Sequence, residues 1–262
     1  MNTSRIRLAM AAAGIMILLV SCGKENEKPV ASKFFFKNHI NGYDFQVGAM
    51  NYTNQAGNLY EVDELQYFIS EVSIKTADGQ VLPISSENGI HYVDINIPST
   101  AEWSPADRLQ VTKYESISFV FGIIDSKNKT GLFVNPPERD MFWPEMMGGG
   151  YHFMKMNGKW LADGDTIKPF NFHLGNISGS GMSNTPNFFT VTLPLNVTSG
   201  TLSNEFTITM NIDKWFASPN RGDWNVIGGQ IMQNQDAMHK ASENGANAFE
   251  VSHVGTDIVY HN

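Results

Sequence analysis

Apolar and polar residues alternate along much of the chain, most clearly in its last third. Every second residue is apolar from Phe189 to Val197, and again from Phe206 to Ile212. A period of two is typical of β-strands with one buried face. The polar turn residues at 198–204 predict that these two strands form a hairpin with a loose loop.

Shorter runs of the same kind predict further strands at 34–37, 67–75, 117–124, 151–156 and 170–174. One convincing helix is predicted late in the chain, with Asn234 as its N-cap, residues 235–243 as its body and Asn244-Gly245 as its stop. A second short helical piece is predicted at 136–141. Many strands with few helices indicate an all-β fold, an antiparallel β-sandwich with one or two short helices.

The N-terminus has the pattern of a bacterial secretion signal. Arg5 and Arg7 precede an apolar stretch at 8–20, which is too short to span a bilayer as a stable helix. The stretch ends in Leu-Val-Ser-Cys (19–22), which looks like a lipobox and predicts that Cys22 is acylated after removal of residues 1–21. An ordinary secretory signal, or an uncleaved membrane segment, with a spare thiol is the alternative.

A polar run follows Cys22 and predicts a tether at 22–32, ahead of a single domain at 33–262. The run Gly-Lys-Glu-Asn-Glu-Lys-Pro (23–29) resembles the surface-export signal of Bacteroidetes lipoproteins. We therefore expect an outer-membrane lipoprotein, held in the membrane by its acyl chains, and surface display is one hypothesis. An ordinary solvated linker is the other.

Composition and motifs argue against several classes of function. The 262 residues carry a formal net charge of -8, and the body of the chain has no long basic cluster, so nucleic acid is not an expected partner. The common zinc motifs, the serine nucleophile elbow and the phosphate and dinucleotide loops are missing from the sequence, and we expect a protein that is not an enzyme. Only Asp140 and Glu145 hint at a hydrolase.

The segment 141–156 is rich in methionine and contains His152. If residues 151–156 form a strand, His152, Met154 and Met156 share one face. Imidazole and thioether donors suit copper, because soft sulfur selects Cu(I) and imidazole serves either oxidation state. The alternative is that the methionines fill gaps in the core.

Two other histidines are candidate ligands. His173 projects from the face of its predicted strand opposite the apolar residues Phe170, Phe172 and Leu174. His39 lies where the first predicted strand turns, and loops meet at such an end of a sandwich. Taken singly, each histidine is more often a satisfied polar residue than a ligand.

Several motifs resemble the MbnP-like copper-binding family, in its order and rough spacing. They include Phe-Lys-Asn-His-Ile-Asn-Gly (36–42), Leu-Gln-Tyr-Phe-Ile-Ser-Glu-Val (65–72), Met-Phe-Trp (141–143), Gly-Gly-Tyr-His-Phe (149–153) and Phe-His-Leu-Gly (172–175). The resemblance implies a secreted or lipid-anchored β-protein associated with methanobactin and copper handling. In some members a diheme peroxidase-like partner oxidises a tryptophan to kynurenine, which joins histidines in binding copper.

Carried onto this chain, the resemblance implies His173, Trp143 and, more weakly, His39 as parts of a copper site, while His152 comes from strand geometry alone. No tryptophan lies within two residues of any histidine in the sequence. The alternative for Trp143 is that it is simply a large residue of the core.

A surface module that binds a glycan or an envelope protein is the competing hypothesis for the whole chain. It would use exposed aromatic side chains, and its candidates are Trp103, Trp160, Trp215 and Trp224. The two hypotheses differ in what they require of the fold. A metal protein needs its histidines to converge, whereas a glycan module needs tryptophans grouped on an exposed surface.

Overall fold

The computed structural model describes residues 27–177 and 186–259. The predicted signal peptide, Cys22 and the first part of the predicted tether lie outside the described residues. The first strand begins at Val30, inside the stretch that the sequence assigned to the tether. Within the described ranges, no helix is long and apolar enough to cross a membrane.

Strands dominate the described part of the chain. They are β1 Val30–Ile40, β2 Tyr43–Asp44, β3 Tyr52–Thr53, β4 Leu59–Thr76, β5 Val81–Pro83, β6 Ile90–Asp94, β7 Glu102–Trp103, β8 Arg108–Leu109, β9 Lys113–Phe121, β10 Met154–Ala162, β11 Thr166–Leu174, β12 Phe189–Thr198, β13 Ser203–Asn211 and β14 Phe249–Thr256. The α-helices are α1 Trp224–Ile227 and α2 Gln235–Gly245, and short 3-10 helices span Ser86–Gly89, Pro98–Ala101, Glu138–Met141, Glu145–Met147 and Ile212–Phe216.

The strands form two sheets. The six-stranded sheet has the order β14-β13-β1-β2, with β7 and β8 also paired to β1. The eight-stranded sheet has the order β11-β10-β4-β9-β12, with β3, β5 and β6 also paired to β4. Among the described strands, β1 and β13 pair in parallel and the other pairs are antiparallel.

The two sheets pack face to face over one apolar core. Rings from β9 of the larger sheet meet rings of the smaller sheet, with centroids 5.3 Å apart for Phe119 and Phe249 and 6.2 Å apart for Tyr114 and Phe206. Alternate residues of β1 and β13 are buried, as the period of two requires. The predicted all-β sandwich with few helices is confirmed.

The predicted hairpin of β12 and β13 is wrong. β12 pairs with β9 in the larger sheet, whereas β13 pairs with β1 and β14 in the smaller one. Between them the chain crosses from sheet to sheet, with the Ser199 amide donating to Thr112 O (2.9 Å) and the Leu202 amide donating to Thr256 O (2.8 Å). Alternation reveals which face of a strand is buried but not which strand lies beside it.

The predicted late helix is confirmed as α2. The Asn234 side chain accepts a hydrogen bond from the Ala237 amide (3.1 Å), which caps the first turn, and Met238 and Ala241 are buried against the sandwich. The short helical piece predicted at 136–141 is a 3-10 helix at Glu138–Met141.

Candidate metal centre

A glycine loop brings Trp143 and His152 together. Gly148, Gly149 and Gly150 all have positive φ, from 68° to 118°, and a Cβ on Gly150 would lie 2.6 Å from Asn128 Oδ1. Only glycine accepts this backbone without strain. The loop turns the chain back on itself, so that the Trp143 amide donates to Gly150 O (2.8 Å) and the His152 amide donates to Met141 O (2.7 Å).

This short ladder makes Trp143 and His152 diagonal neighbours on one face. Their ring centroids are 4.6 Å apart, with the ring planes at 82°. The indole also lies flat against Gly175, where an added Cβ would be 2.6 Å from the ring. The glycine of the Phe-His-Leu-Gly motif therefore leaves room for Trp143, whose side chain is fully buried and whose Nε1 has no hydrogen-bond partner among the described residues.

His152 faces the opposite side of the sheet from the one that strict alternation predicts. β10 begins only at Met154, and the backbone bends at Phe153, so the alternation does not extend back to His152. Met154 and Met156 are buried in the core, whereas the His152 ring contacts the ring of His173, with centroids 5.2 Å apart and planes at 85°. The predicted shared face of His152 with these methionines is wrong.

Hydrogen bonds fix which nitrogen of each ring carries a proton. His152 Nδ1 donates to Met141 O (2.9 Å), so its lone pair is on Nε2. His173 Nε2 contacts Asn157 Oδ1 (2.7 Å), and Asn157 Nδ2 in turn donates to Glu64 Oε2 (2.7 Å). Because the Glu64 carboxylate only accepts, Asn157 Oδ1 must accept from His173, and the lone pair of His173 is on Nδ1.

Both imidazoles are neutral at pH 7. Burial lowers the pKa of His152 to about 3 and that of His173 to about 4, and the positive charge of Lys155 acts in the same direction on both. Lys155 lies directly opposite His173 in the register of β10 and β11, and its Nζ donates to Asp140 O (2.5 Å). Neutral imidazole is the form that binds a metal ion.

His39 is not brought into this group. It lies near the end of β1 in the other sheet, opposite Asp44 and Asn211, and its Nδ1 accepts from the Gly42 amide (2.8 Å). Over the ranges that the structure describes, no three His, Cys, Asp or Glu side chains are grouped to hold a metal ion. The described residues thus offer a pair of imidazoles rather than a full set of protein ligands.

The exposed tryptophans that a glycan module requires are not found among the four candidates. Trp103, Trp160, Trp215 and Trp224 are each 4% exposed or less. They pack in the core: Trp224, for example, stacks on Phe170 with centroids 4.7 Å apart. Their role in the described structure is packing, as the alternative interpretation of these residues held.

The sequence interpretation missed Asn157, which orients the His173 ring, and Glu64, which orients the Asn157 side chain. Asn157 and Glu64 sit on neighbouring strands, β10 and β4, where they are opposite each other in the register. No motif marks them. The only signal was that Asn157 follows Lys155 by two residues, which places both side chains on the same face of a strand that begins after His152.

These features define a class of protein: a β-sandwich that holds two neutral imidazoles beside a buried tryptophan at one end of its larger sheet. A family model described as MbnP matches residues 30–238. The chain therefore belongs to the MbnP family, as its motifs indicated.

One solved structure shares the fold. MbnP from Methylosinus trichosporium matches with a TM-score of 0.51 and 13% sequence identity, over 87% of this chain and 99% of that one. At this identity the likeness concerns the fold alone. A search of curated proteins finds no match to the chain.

Proposed function

We propose that this protein binds a copper ion in the cell envelope, for capture or delivery, and that it is a binding protein rather than an enzyme. The observation that carries the proposal is the contact of two neutral imidazoles, His152 and His173, beside Trp143. Membership of the MbnP family supports copper as the metal, and imidazole is a favoured copper ligand.

The spacing of the rings fits a shared ion. An imidazole nitrogen lies about 2 Å from a metal ion, so two rings that share one ion have centroids within about 6 Å of each other. The observed 5.2 Å satisfies this limit. The free lone pairs, on Nε2 of His152 and Nδ1 of His173, would hold the ion, while Asn157 and the Met141 carbonyl keep the rings in the required tautomers.

Trp143 is not a ligand in its native form, since the indole Nε1–H only donates. Its Nε1 is buried without a hydrogen-bond partner among the described residues, as are the Nε1 atoms of Trp103 and Trp224, although buried polar atoms are normally paired. We propose that a diheme peroxidase-like partner, with hydrogen peroxide as the oxidant, oxidises this residue to kynurenine. The indole C2–C3 bond is cleaved with addition of oxygen to both carbons, and hydrolysis releases C2 as formate. The carbonyl and amine groups that result would add a donor to the two imidazoles. Phe142 and Met146, which flank Trp143 in the sequence, are 44% and 81% exposed and offer the partner an apolar contact.

We also propose that Cys22 carries the acyl chains predicted from the lipobox and holds the domain at the outer membrane. A single acyl chain gives only marginal, reversible binding to a membrane. Two or more chains on one residue would therefore make the attachment stable. The domain itself would then face water, where copper is captured.

The test is copper binding by the purified full-length protein. We expect about one equivalent of copper, with binding lost in His152→Ala and in His173→Ala. His239→Ala is the matched control, since His239 lies on α2, away from the imidazole pair in the sequence, and pairs with Glu243 (3.7 Å). His39→Ala decides whether the residue implied by the family resemblance contributes; from its place on the other sheet, we expect binding to persist.

Equal binding by all four variants would refute the imidazole pair as the site. The intact mass of the peptide that contains Trp143, taken from protein isolated from its native envelope, tests the oxidation separately. A mass gain that corresponds to kynurenine supports the oxidising partner. An unmodified peptide in a protein that binds copper would refute the partner and leave the metal site standing.

A further inference from the structure

Four large apolar side chains are exposed in neighbouring segments at one end of the smaller sheet. They are Leu202, Val254, Ile258 and Val259, with 54%, 61%, 45% and 72% of each exposed, and we call them the end patch. Backbone contacts hold the segments that carry them against one another. The Leu202 amide donates to Thr256 O (2.8 Å), and the Ile258 amide donates to Thr201 Oγ1 (3.0 Å).

The end patch lies beside the first residues of the domain. In the register of the smaller sheet, Ala31 pairs with Ser203, and Ser203 pairs with Thr256. Neighbouring strands are about 4.8 Å apart, so the start of β1 lies within about 10 Å of both segments of the patch. A cleft at the same end is lined by Glu27, Asp257 and Ile258, among others.

The chain before β1 is short. Seven residues separate Cys22 from Val30, and an extended chain spans at most about 3.5 Å per residue, so the start of β1 can lie no more than about 28 Å from an acylated Cys22. A domain of this size is about 45 Å across. The tether therefore keeps the end of the sandwich that carries the patch near any bilayer that holds Cys22.

We infer that the end patch rests on the lipid bilayer and fixes the orientation of the domain. This inference rests on the acylation of Cys22 in the proposed function. Apolar side chains that are held close to a membrane bury themselves at the boundary of headgroups and acyl chains. The tether raises their local concentration at the surface, so weak burial by four side chains is enough to select one orientation.

This orientation places the two imidazoles at the far end of the molecule. Tyr114, near the start of β9, contacts His253 at the patch end, and β9 then runs seven further residues to Phe121, a distance of about 24 Å. Phe121 pairs with Ile69 of β4, and the Phe68 amide donates to Phe153 O, next to His152. The candidate metal centre would thus face away from the membrane.

The inference is tested by fluorescence quenching in the acylated full-length protein, reconstituted in phosphatidylethanolamine and phosphatidylglycerol vesicles with nitroxide on the acyl chains. Because the only native cysteine is acylated in this sample, Leu202→Cys accepts a single bimane label. Val134→Cys is the matched control, since Val134 is 74% exposed and follows Phe133, which packs on Tyr151 near the metal centre.

We expect quenching of the label at position 202 to be about twofold stronger or more than at position 134. Adding Val254→Asp and Val259→Asp to the labelled Leu202→Cys protein should lower quenching to the level of the control. Equal, weak quenching at both positions overturns the inference, and a dimer through β14, seen as concentration-dependent self-quenching, overturns it in favour of a second copy.

Intact mass and copper titration on the same sample distinguish a failure of the orientation inference from a failure of the proposed function. An acylated protein that binds copper but shows no difference in quenching leaves the proposed function standing and refutes the orientation. A protein without acyl chains refutes the anchor and with it the orientation, whereas its copper binding is judged separately.

Discussion

Replacing Lys155 by glutamine should strengthen copper binding. Lys155 lies directly opposite His173 across β10 and β11, where facing Cβ atoms are about 5 Å apart, so its ammonium group would be on the order of 7 Å from an ion that the imidazoles hold. At an effective dielectric constant of about 20, two unit charges at this distance repel by about 2 kcal/mol. Removing the charge should therefore tighten binding of a singly charged copper ion by about 30-fold.

Competition against a Cu(I) chelator of known affinity measures this change. Lys168→Gln is the control: Lys168 is an exposed residue of β11, five positions before His173, or about 16 Å along the strand and beyond the screening length of physiological salt. Glutamine at position 155 removes a hydrogen bond to the Asp140 carbonyl and the attraction of the ammonium group to the exposed carboxylates of Asp140 and Glu64, so thermal unfolding should change little. Unchanged or weaker copper binding by Lys155→Gln, with the fold intact, would show that the ion does not lie beside the imidazoles.

Three further predictions follow from the same contacts. Asn157→Ala should weaken copper binding by about 10-fold to 100-fold, since it removes the acceptor that fixes the ligand tautomer, whereas Asn171→Ala, directly across the strand pair, should leave the titration unchanged. Burial lowers the pKa of His91 to about 4, so the unfolded state binds more protons below pH 6.5, and the free energy of unfolding should fall by up to about 3 kcal/mol as the pH drops from 6.5 to 4. Denaturant titrations of the wild type and His91→Gln would reveal this, since the variant loses that part of the pH dependence. Gly175→Ala should lower the free energy of unfolding by about 1–3 kcal/mol and change the fluorescence of Trp143, because the new methyl group would lie 2.6 Å from the indole; an unchanged melting curve and spectrum would contradict this packing.

Sequence patterns predicted the strands well, because a strand with one buried face carries an apolar residue at every second position. They failed at the partner of β12, which depends on long-range packing that alternation does not encode. They also failed at the face of His152, where a bend at Phe153 breaks the alternation. Trp143 is nine residues from His152 in the chain, and only the backbone of the three-glycine loop makes the two rings neighbours.

The family motifs, rather than the patterns, pointed to His173 and Trp143 together, and the structure places both rings in contact with His152. His39 entered on the same basis, yet it lies on the other sheet. Asn157 and Glu64 were beyond prediction, because their importance comes from a hydrogen-bond chain across three strands, of which β4 is distant in the sequence from β10 and β11.

The parallel pairing of β1 with β13 has a mechanical consequence. A pull on the N-terminal segment acts along β1, which is matched to β13 over nine consecutive positions, from Ala31 to His39, and is also paired with β2, β7 and β8. Such a force shears the hydrogen bonds of this ladder together instead of opening them one at a time. If the proposed anchor at Cys22 holds the domain, a force on that anchor would therefore not unravel it one strand residue at a time.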